Sequence, residues 1–204
     1  MGQLQVFRPS VPLAPLILAS TSPYRRQLLH RLQINFDVLA PNVDESTLAL
    51  ETPLERAQRL ALAKATAVSQ RRSDATVIGS DQVAVCKGEL LDKPGSAERC
   101  RAQLQWLSAS AATFYTAVAV LQRASSASIQ FVDTTTVYFR ALSSAEIERY
   151  VAAEQPFDCA GGFRSEGFGI SLLARVVSED PTALIGLPLI AVGRALRQLD
   201  YALP

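Results

Sequence analysis

A chain of 204 residues with a hydrophobic share of 49% and a formal net charge of +1 has ample length for a buried core. So even a charge balance argues against a nucleic-acid coat or a polybasic membrane anchor, and neither nucleic acid nor membrane is an expected partner. Cys86, Cys100 and Cys159 are odd in number and far apart, which fits neither a zinc spacing nor a secreted disulfide framework. The expectation is reduced, structural thiols in a cytoplasmic compartment.

The first fifteen residues hold three prolines and no apolar run of signal-peptide length. No later stretch is long and apolar enough to span a bilayer. Residues 1–15 are therefore expected to form a flexible extension, and 16–204 a single domain.

Leu16 to Ala19 is a short apolar run of the kind that forms a buried strand. Ser20-Thr21-Ser22 follows, with Ser22 placed to cap a helix and Pro23 at its first position, where no amide donor is needed. Unpaired amides at such a helix start attract an anion, and Arg25 and Arg26 add charge. A capped helix with two surface arginines accounts for the same residues equally well. The helix should run to about Leu32, followed by a strand over Phe36–Ala40 and a polar loop, Pro41–Ser46, with the adjacent carboxylates Asp44 and Glu45.

Thr52, Pro53 and Glu55 then spell a capping box, and Leu54, Ala57, Ala61, Ala65 and Val68 give the long helix behind it one apolar face. Lys64, in the middle of this helix, reads more readily as a solvated lysine than as a functional one. Thr76–Gly79 is a compact strand running into Ser80-Asp81-Gln82, and Val83–Cys86 reads as a second strand. Lys87-Gly88-Glu89 turns toward Leu90-Leu91 as a hairpin. Asp92-Lys93-Pro94-Gly95 is a turn, and Ser96 can cap a helix through about Leu107. Thr113–Gln122 and Ile129–Arg140 are rich in β-branched and aromatic residues, which predicts a long antiparallel pair. Ser143 to Glu146 is another capping box, opening a helix that ends near Pro156. Residues 157–169 hold four glycines and three phenylalanines, as suits a loop with tight backbone approaches. Ile170–Val177 reads as a strand, and residues 180–188 lead into an amphipathic helix to about Leu199. Helices interleaved with single strands and hairpins predict an α/β fold, a mixed parallel/antiparallel sheet with flanking helices.

Asp81 follows directly on an apolar strand, where an ionised carboxylate needs a cation or a strong donor. Those residues alone are as consistent with an aspartate opening a turn. Asp44 and Glu45 could join Asp81 in holding a hard divalent ion through oxygen. With Arg25, Lys64 and Lys93 they make a set suited to phosphate chemistry, cations for the phosphate oxygens and carboxylates for a metal. The lone histidine, His30, sits beside Arg31 on an amphipathic helix, which leaves no credible base for a Ser-His-Asp or Cys-His system. There is no phosphate-binding loop ending Gly-Lys-Ser/Thr and no dinucleotide fingerprint. Metal-assisted hydrolysis is the scheme that survives.

The chain resembles the Maf family of nucleoside triphosphate pyrophosphatases from Leu16 to about Leu199. The motifs that carry the likeness are Leu18-Ala19-Ser20-Thr21-Ser22-Pro23-Tyr24-Arg25-Arg26, Val43-Asp44-Glu45, Ala63-Lys64-Ala65, Ile78-Gly79-Ser80-Asp81-Gln82, Asp92-Lys93-Pro94 and Ser165-Glu166-Gly167-Phe168-Gly169-Ile170. The resemblance implies hydrolysis of a nucleoside triphosphate between its α- and β-phosphates. It implies Asp81 as general base working with Mg²⁺ or Mn²⁺, Glu45 as a further metal-site carboxylate, and Ser20, Arg25, Lys64 and Lys93 as ligands of the triphosphate. It also implies two lobes around a nucleotide-binding cleft, as in Maf and inosine-triphosphatase-like proteins, and a homodimer.

Three positions separate the family's branches. At Tyr24, Gln82 and Glu166 the branch acting on 7-methyl-GTP typically carries Trp, Gln and Glu, and the dTTP/UTP branch Arg, Thr and Gln. Gln82 and Glu166 match the former, and Tyr24 departs from Trp while keeping an aromatic face. Methylation at N7 makes guanine cationic, so such a face attracts it by about 1–2 kcal/mol in a dry site, whereas arginine would repel it. Glu166 can accept from the guanine N1–H and N2–H edge and offset its charge. Two alternatives stay open: a pyrophosphatase preferring dTTP/UTP or other modified nucleotides, and a nucleotide-binding regulator of cell division without turnover. The complete set of Asp81, Glu45, Lys64 and Lys93 speaks against the regulator.

Overall fold

Strand β1 (Leu16–Ala19) is buried along its whole length, so the sheet needs helical cover on both faces at that point. A computed structural model describes residues 13–204; of the extension expected over 1–15, residues 1–12 lie outside the described residues. Helices α1 (Pro23–His30) and α5 (Leu189–Gln198) share a core with Leu16 and Leu18. Helix α2 (Pro53–Arg71) packs with Ile17 and Ala19, the alternate side chains of the same strand. Strands β2 (Asp37–Leu39) and β3 (Thr76–Cys86) flank β1 in parallel, each reached through a helix as parallel neighbours require.

Beyond β3 the pairing turns antiparallel. The short strand β4 (Glu89–Leu90) folds back on the end of β3, which also pairs with β5 (Ala111–Gln122). Next come β6 (Ala127–Phe139) and β7 (Leu173–Val177). The result is a seven-stranded mixed sheet, order β2-β1-β3-β5-β6-β7 with β4 beside β3, as the alternation of elements predicts. Helices α3 (Ala97–Leu107) and α4 (Ser144–Glu154) pack with Ala84, Cys86, Phe114 and Phe139 in a separate apolar cluster. Among the described residues no helix is long and apolar enough to cross a membrane.

The predicted caps form. Ser22 accepts from the Arg25 amide with Pro23 in the first turn, and both arms of the Thr52–Glu55 and Ser143–Glu146 boxes are made. Several boundaries differ from expectation. Thr76–Cys86 is one strand rather than two, because Ser80, Asp81 and Gln82 sit opposite Val118, Ala117 and Thr116 of β5 and project alternately to the two faces. Leu54 is exposed, since the buried face of α2 begins one turn later at Ala57 and continues through Leu60, Ala61 and Lys64. Lys64 is thus buried, not solvated. Strand β7 starts at Leu173 rather than Ile170. Residues Phe168–Leu172 form a 3₁₀ turn in which the Ser171 hydroxyl donates to Phe168 O at 2.8 Å and Arg140 Nε to Ser171 O at 2.7 Å. Helix α1 stops at His30, two residues short.

One glycine decides how closely α2 can approach the sheet. A Cβ on Gly79 would overlap the carbonyl oxygen of Ala61 and the amide nitrogen of Ala65. Backbone on both sides leaves nothing flexible to give way. Gly79→Ala is expected to cost about 2–3 kcal/mol and to push α2 outward, parting Lys64 from the strand it reaches. A urea-unfolding midpoint equal to that of the unaltered chain would sink this prediction.

Candidate active site

The close α2–β3 contact places Lys64 over Asp81. Lys64 Nζ lies 2.6 Å from Asp81 Oδ1 and 2.8 Å from Glu45 Oε1, bridging the two carboxylates. Both Lys64 and Asp81 are below 10% exposed, so the charges are mutually required: a lone buried ammonium or carboxylate would be severely penalised. Glu45 arrives from the loop after β2 and is more open, its side chain 57% exposed. Burial pushes its carboxyl up, but the hydrogen bond and charge of Lys64, with Arg25 and Lys93 behind, hold it below its ordinary value. Asp44 is turned elsewhere, accepting from the Ser46 amide at 2.9 Å and the Ser46 hydroxyl at 2.6 Å.

Two carboxylates already converge on one cation here, and that donor set suits a magnesium-type ion. Such an ion takes one or two protein carboxylates and fills its shell with water and phosphate oxygens. Among the described residues no cluster of three or more metal-binding side chains occurs, so an all-protein cage is not on offer.

Ser80 and Gln82 project to the opposite face of β3 and meet the segment before α5. Ser80 Oγ and Arg25 Nε both donate to Gly186 O, at 3.0 and 2.9 Å. Burial draws the Arg25 guanidinium below its ordinary value, against the opposing pull of Asp81 and Glu45. Gln82 Nε2 faces Thr116 Oγ1 at 2.9 Å and the carbonyls of Ala183 and Leu184 at 3.0 Å. Its amide nitrogen is therefore committed to this segment. Ser20 Oγ accepts from the Ser22 amide at 3.1 Å, which leaves its proton free to donate.

Tyr24, on the first turn of α1, meets the glycine-rich loop. Its hydroxyl contacts Asp158 Oδ2 at 3.0 Å and accepts from Arg164 Nη2 at 2.6 Å. Arg164 also donates to Glu154 Oε1 at 2.9 Å and lies 4.0 Å from Glu166 Oε1.

Ser20, Tyr24, Arg25, Glu45, Lys64, Asp81, Gln82, Lys93 and Glu166 all line one cavity of about 590 Å³, a size in the range of small-molecule sites. Arg26 and His30 are exposed outside it. Arg56, Asp158, Cys159 and Arg164 also line the cavity; the sequence marks none of them as a site residue, and Cys159 only as a structural thiol. Arg56 was within reach: Arg56, Leu60 and Lys64 fall at i, i+4 and i+8 on one helix face. Asp158, Cys159 and Arg164 stand in an aperiodic loop that carries no such signal.

An α/β chain with this cavity is one that sets cations for a polyanion beside carboxylates able to take a metal or a proton. The chain belongs to the Maf family: the family model for Maf-like protein matches residues 15–199. It is 51% identical over 189 residues to a 7-methyl-GTP pyrophosphatase of Xanthomonas axonopodis pv. citri, covering 93% of this chain and 98% of the relative. A protein of the same name from Cupriavidus pinatubonensis is 49% identical over 94% of this chain and 96% of its own length. One from Xanthomonas campestris pv. campestris is 53% identical over 93% and 98%.

Proposed function

We propose that this chain is a 7-methyl-GTP pyrophosphatase, hydrolysing the α–β phosphoanhydride to 7-methyl-GMP and pyrophosphate. The observation that carries the reading is one cavity holding both the Asp81–Lys64–Glu45 cluster and the Tyr24–Glu166 pair. The relatives' shared name supports it, at 49–53% identity over more than 90% of the chain.

In this mechanism Asp81 takes the proton of the attacking water as its oxygen adds to the α-phosphorus and the bond to the β-phosphate breaks. Lys64 turns from its carboxylates to the phosphates, where Arg25, Lys93 and Ser20 join it. Glu45 and Asp81 would hold a divalent metal, which when bound would neutralise phosphate charge and polarise phosphorus. Tyr24 stacks on the cationic base and Glu166 accepts from its N1–H and N2–H edge. Gln82 keeps the 183–186 segment in place behind them. The same reading takes residues 16–204 as one catalytic domain working in the cytoplasm. It treats the cluster around Phe114 and Leu104 and the cores around β1 as two lobes flanking the nucleotide.

With Mg²⁺ or Mn²⁺, the purified protein should release pyrophosphate from 7-methyl-GTP at least tenfold more efficiently than from GTP, dTTP or UTP. Equal efficiencies would overturn the base preference. No turnover on any nucleotide would overturn the enzyme.

A further inference from the structure

The Tyr24 ring is held by more than packing. Its hydroxyl is engaged in both senses, donating toward Asp158 Oδ2 at 3.0 Å and accepting from Arg164 Nη2 at 2.6 Å. Arg164 is in turn tied to α4: its Nη1 donates to Glu154 Oε1 at 2.9 Å and its backbone N–H to Tyr150 Oη at 2.9 Å. Glu154 is itself fixed, accepting from the Phe168 amide at 2.7 Å. A continuous chain of hydrogen bonds thus runs from α4 through Arg164 to a ring on the first turn of α1. A phenylalanine at position 24 could make neither end of it.

The charges around the ring are unequal. Asp158, Glu154 and Glu166 surround the single guanidinium of Arg164, whose centre is 5.2 Å from the Tyr24 centroid. Asp158 and Glu166 line this end of the cavity and Glu154 pairs with Arg164 behind it, so carboxylates outnumber the one guanidinium there, while Arg25, Lys64 and Lys93 stand along the wall with Asp81 and Glu45. Asp158, accepting from the phenol, adds electron density to the ring, while Arg164, donating to the same oxygen and lying over the ring, withdraws it, so together the two fix the ring's orientation. Burial, then Cys159 and Asp158, hold the phenol well above its ordinary titration range, so it keeps the proton it donates.

We propose that Asp158 and Arg164 are positioning residues for base recognition, fixing the Tyr24 ring through its hydroxyl in the orientation that receives a cationic purine. This rests on the reading of the cavity as a 7-methyl-GTP site. Asp158 and Arg164 act through Tyr24, and that dependence separates them from groups that merely stabilise the loop.

The test is a double-mutant cycle read by product binding and by kinetics. Asp158→Asn should raise the Kd for 7-methyl-GMP and the KM for 7-methyl-GTP about fivefold, with the effect on KM rather than kcat. In a chain already carrying Tyr24→Phe, the same substitution should change neither. A fivefold loss in both backgrounds, or in neither, overturns the proposal. Asp158 is exposed, so its substitution leaves the fold intact; Arg164→Lys, which keeps the charge but not the fork joining Glu154 to Tyr24, should show the same dependence on the Tyr24 hydroxyl. Should the unaltered protein bind 7-methyl-GMP no better than GMP, the methyl-GTP reading fails. The coupling between positions 24 and 158 is still measured with GMP, so the two failures are told apart.

Discussion

Asp81→Asn is expected to lower kcat by about 10³-fold while leaving nucleotide affinity within a few-fold of the unaltered chain. The substitution keeps the shape of the side chain and removes its basicity, so the loss falls on the step in which water gives up its proton. The structure also says what else changes. Lys64 sits between Asp81 and Glu45, at 2.6 and 2.8 Å, and keeps the second partner when the first becomes neutral. Breaking a buried pair outright costs about 3–5 kcal/mol, and the remaining Glu45 contact should hold the loss below that range. Circular dichroism would show the native fold, and binding of the unhydrolysed triphosphate would show an intact site. A folded variant with near-normal kcat would remove Asp81 as the base.

That cluster illustrates which parts of the molecule could be read in advance. The caps at Ser22, Thr52 and Ser143 were legible because each acts within three or four residues of its own position. The mixed sheet followed from the alternation of helical and strand-like stretches. The continuity of β3 did not, because Ser-Asp-Gln in the middle of a strand looks like a turn. Its extension is enforced by β5, with Asp81 opposite Ala117 and Gln82 opposite Thr116, more than thirty residues away in the chain. Lys64 looked solvated for the same reason. Its burial depends on the absent side chain of Gly79 and on a carboxylate seventeen residues distant. Residue chemistry marks Arg25, Glu45, Lys64, Asp81 and Lys93 as a phosphate set, and the family motifs add Ser20, Tyr24, Gln82 and Glu166 to it. The partners of Tyr24 carry no signal in the sequence because they lie 134 to 140 positions away in an aperiodic loop.

Tyr24→Arg combined with Glu166→Gln is expected to reduce the preference for 7-methyl-GTP over GTP by about 100-fold. Losing a cation–π contact and adding a like charge removes about 1–2 kcal/mol. Losing a charge-assisted hydrogen-bond acceptor removes about 1.5–3 kcal/mol. Both side chains act on one base and both neighbour Arg164, so the sum overstates the effect, and roughly 2.7 kcal/mol corresponds to the stated factor. A second arginine beside Arg164 would be tolerated because Asp158 and Glu154 remain there to compensate it. Gln82 is left unchanged in this variant, since its amide nitrogen holds the carbonyls of Ala183 and Leu184 and altering it would disturb the segment instead of the base. The ratio of kcat/KM for the two nucleotides is the decisive quantity, because GTP carries no charge on its base and should lose far less. Glu166→Gln alone should show part of the fall. A ratio that stays put while both efficiencies drop together would mean that these side chains support the cavity without distinguishing a cationic from a neutral purine.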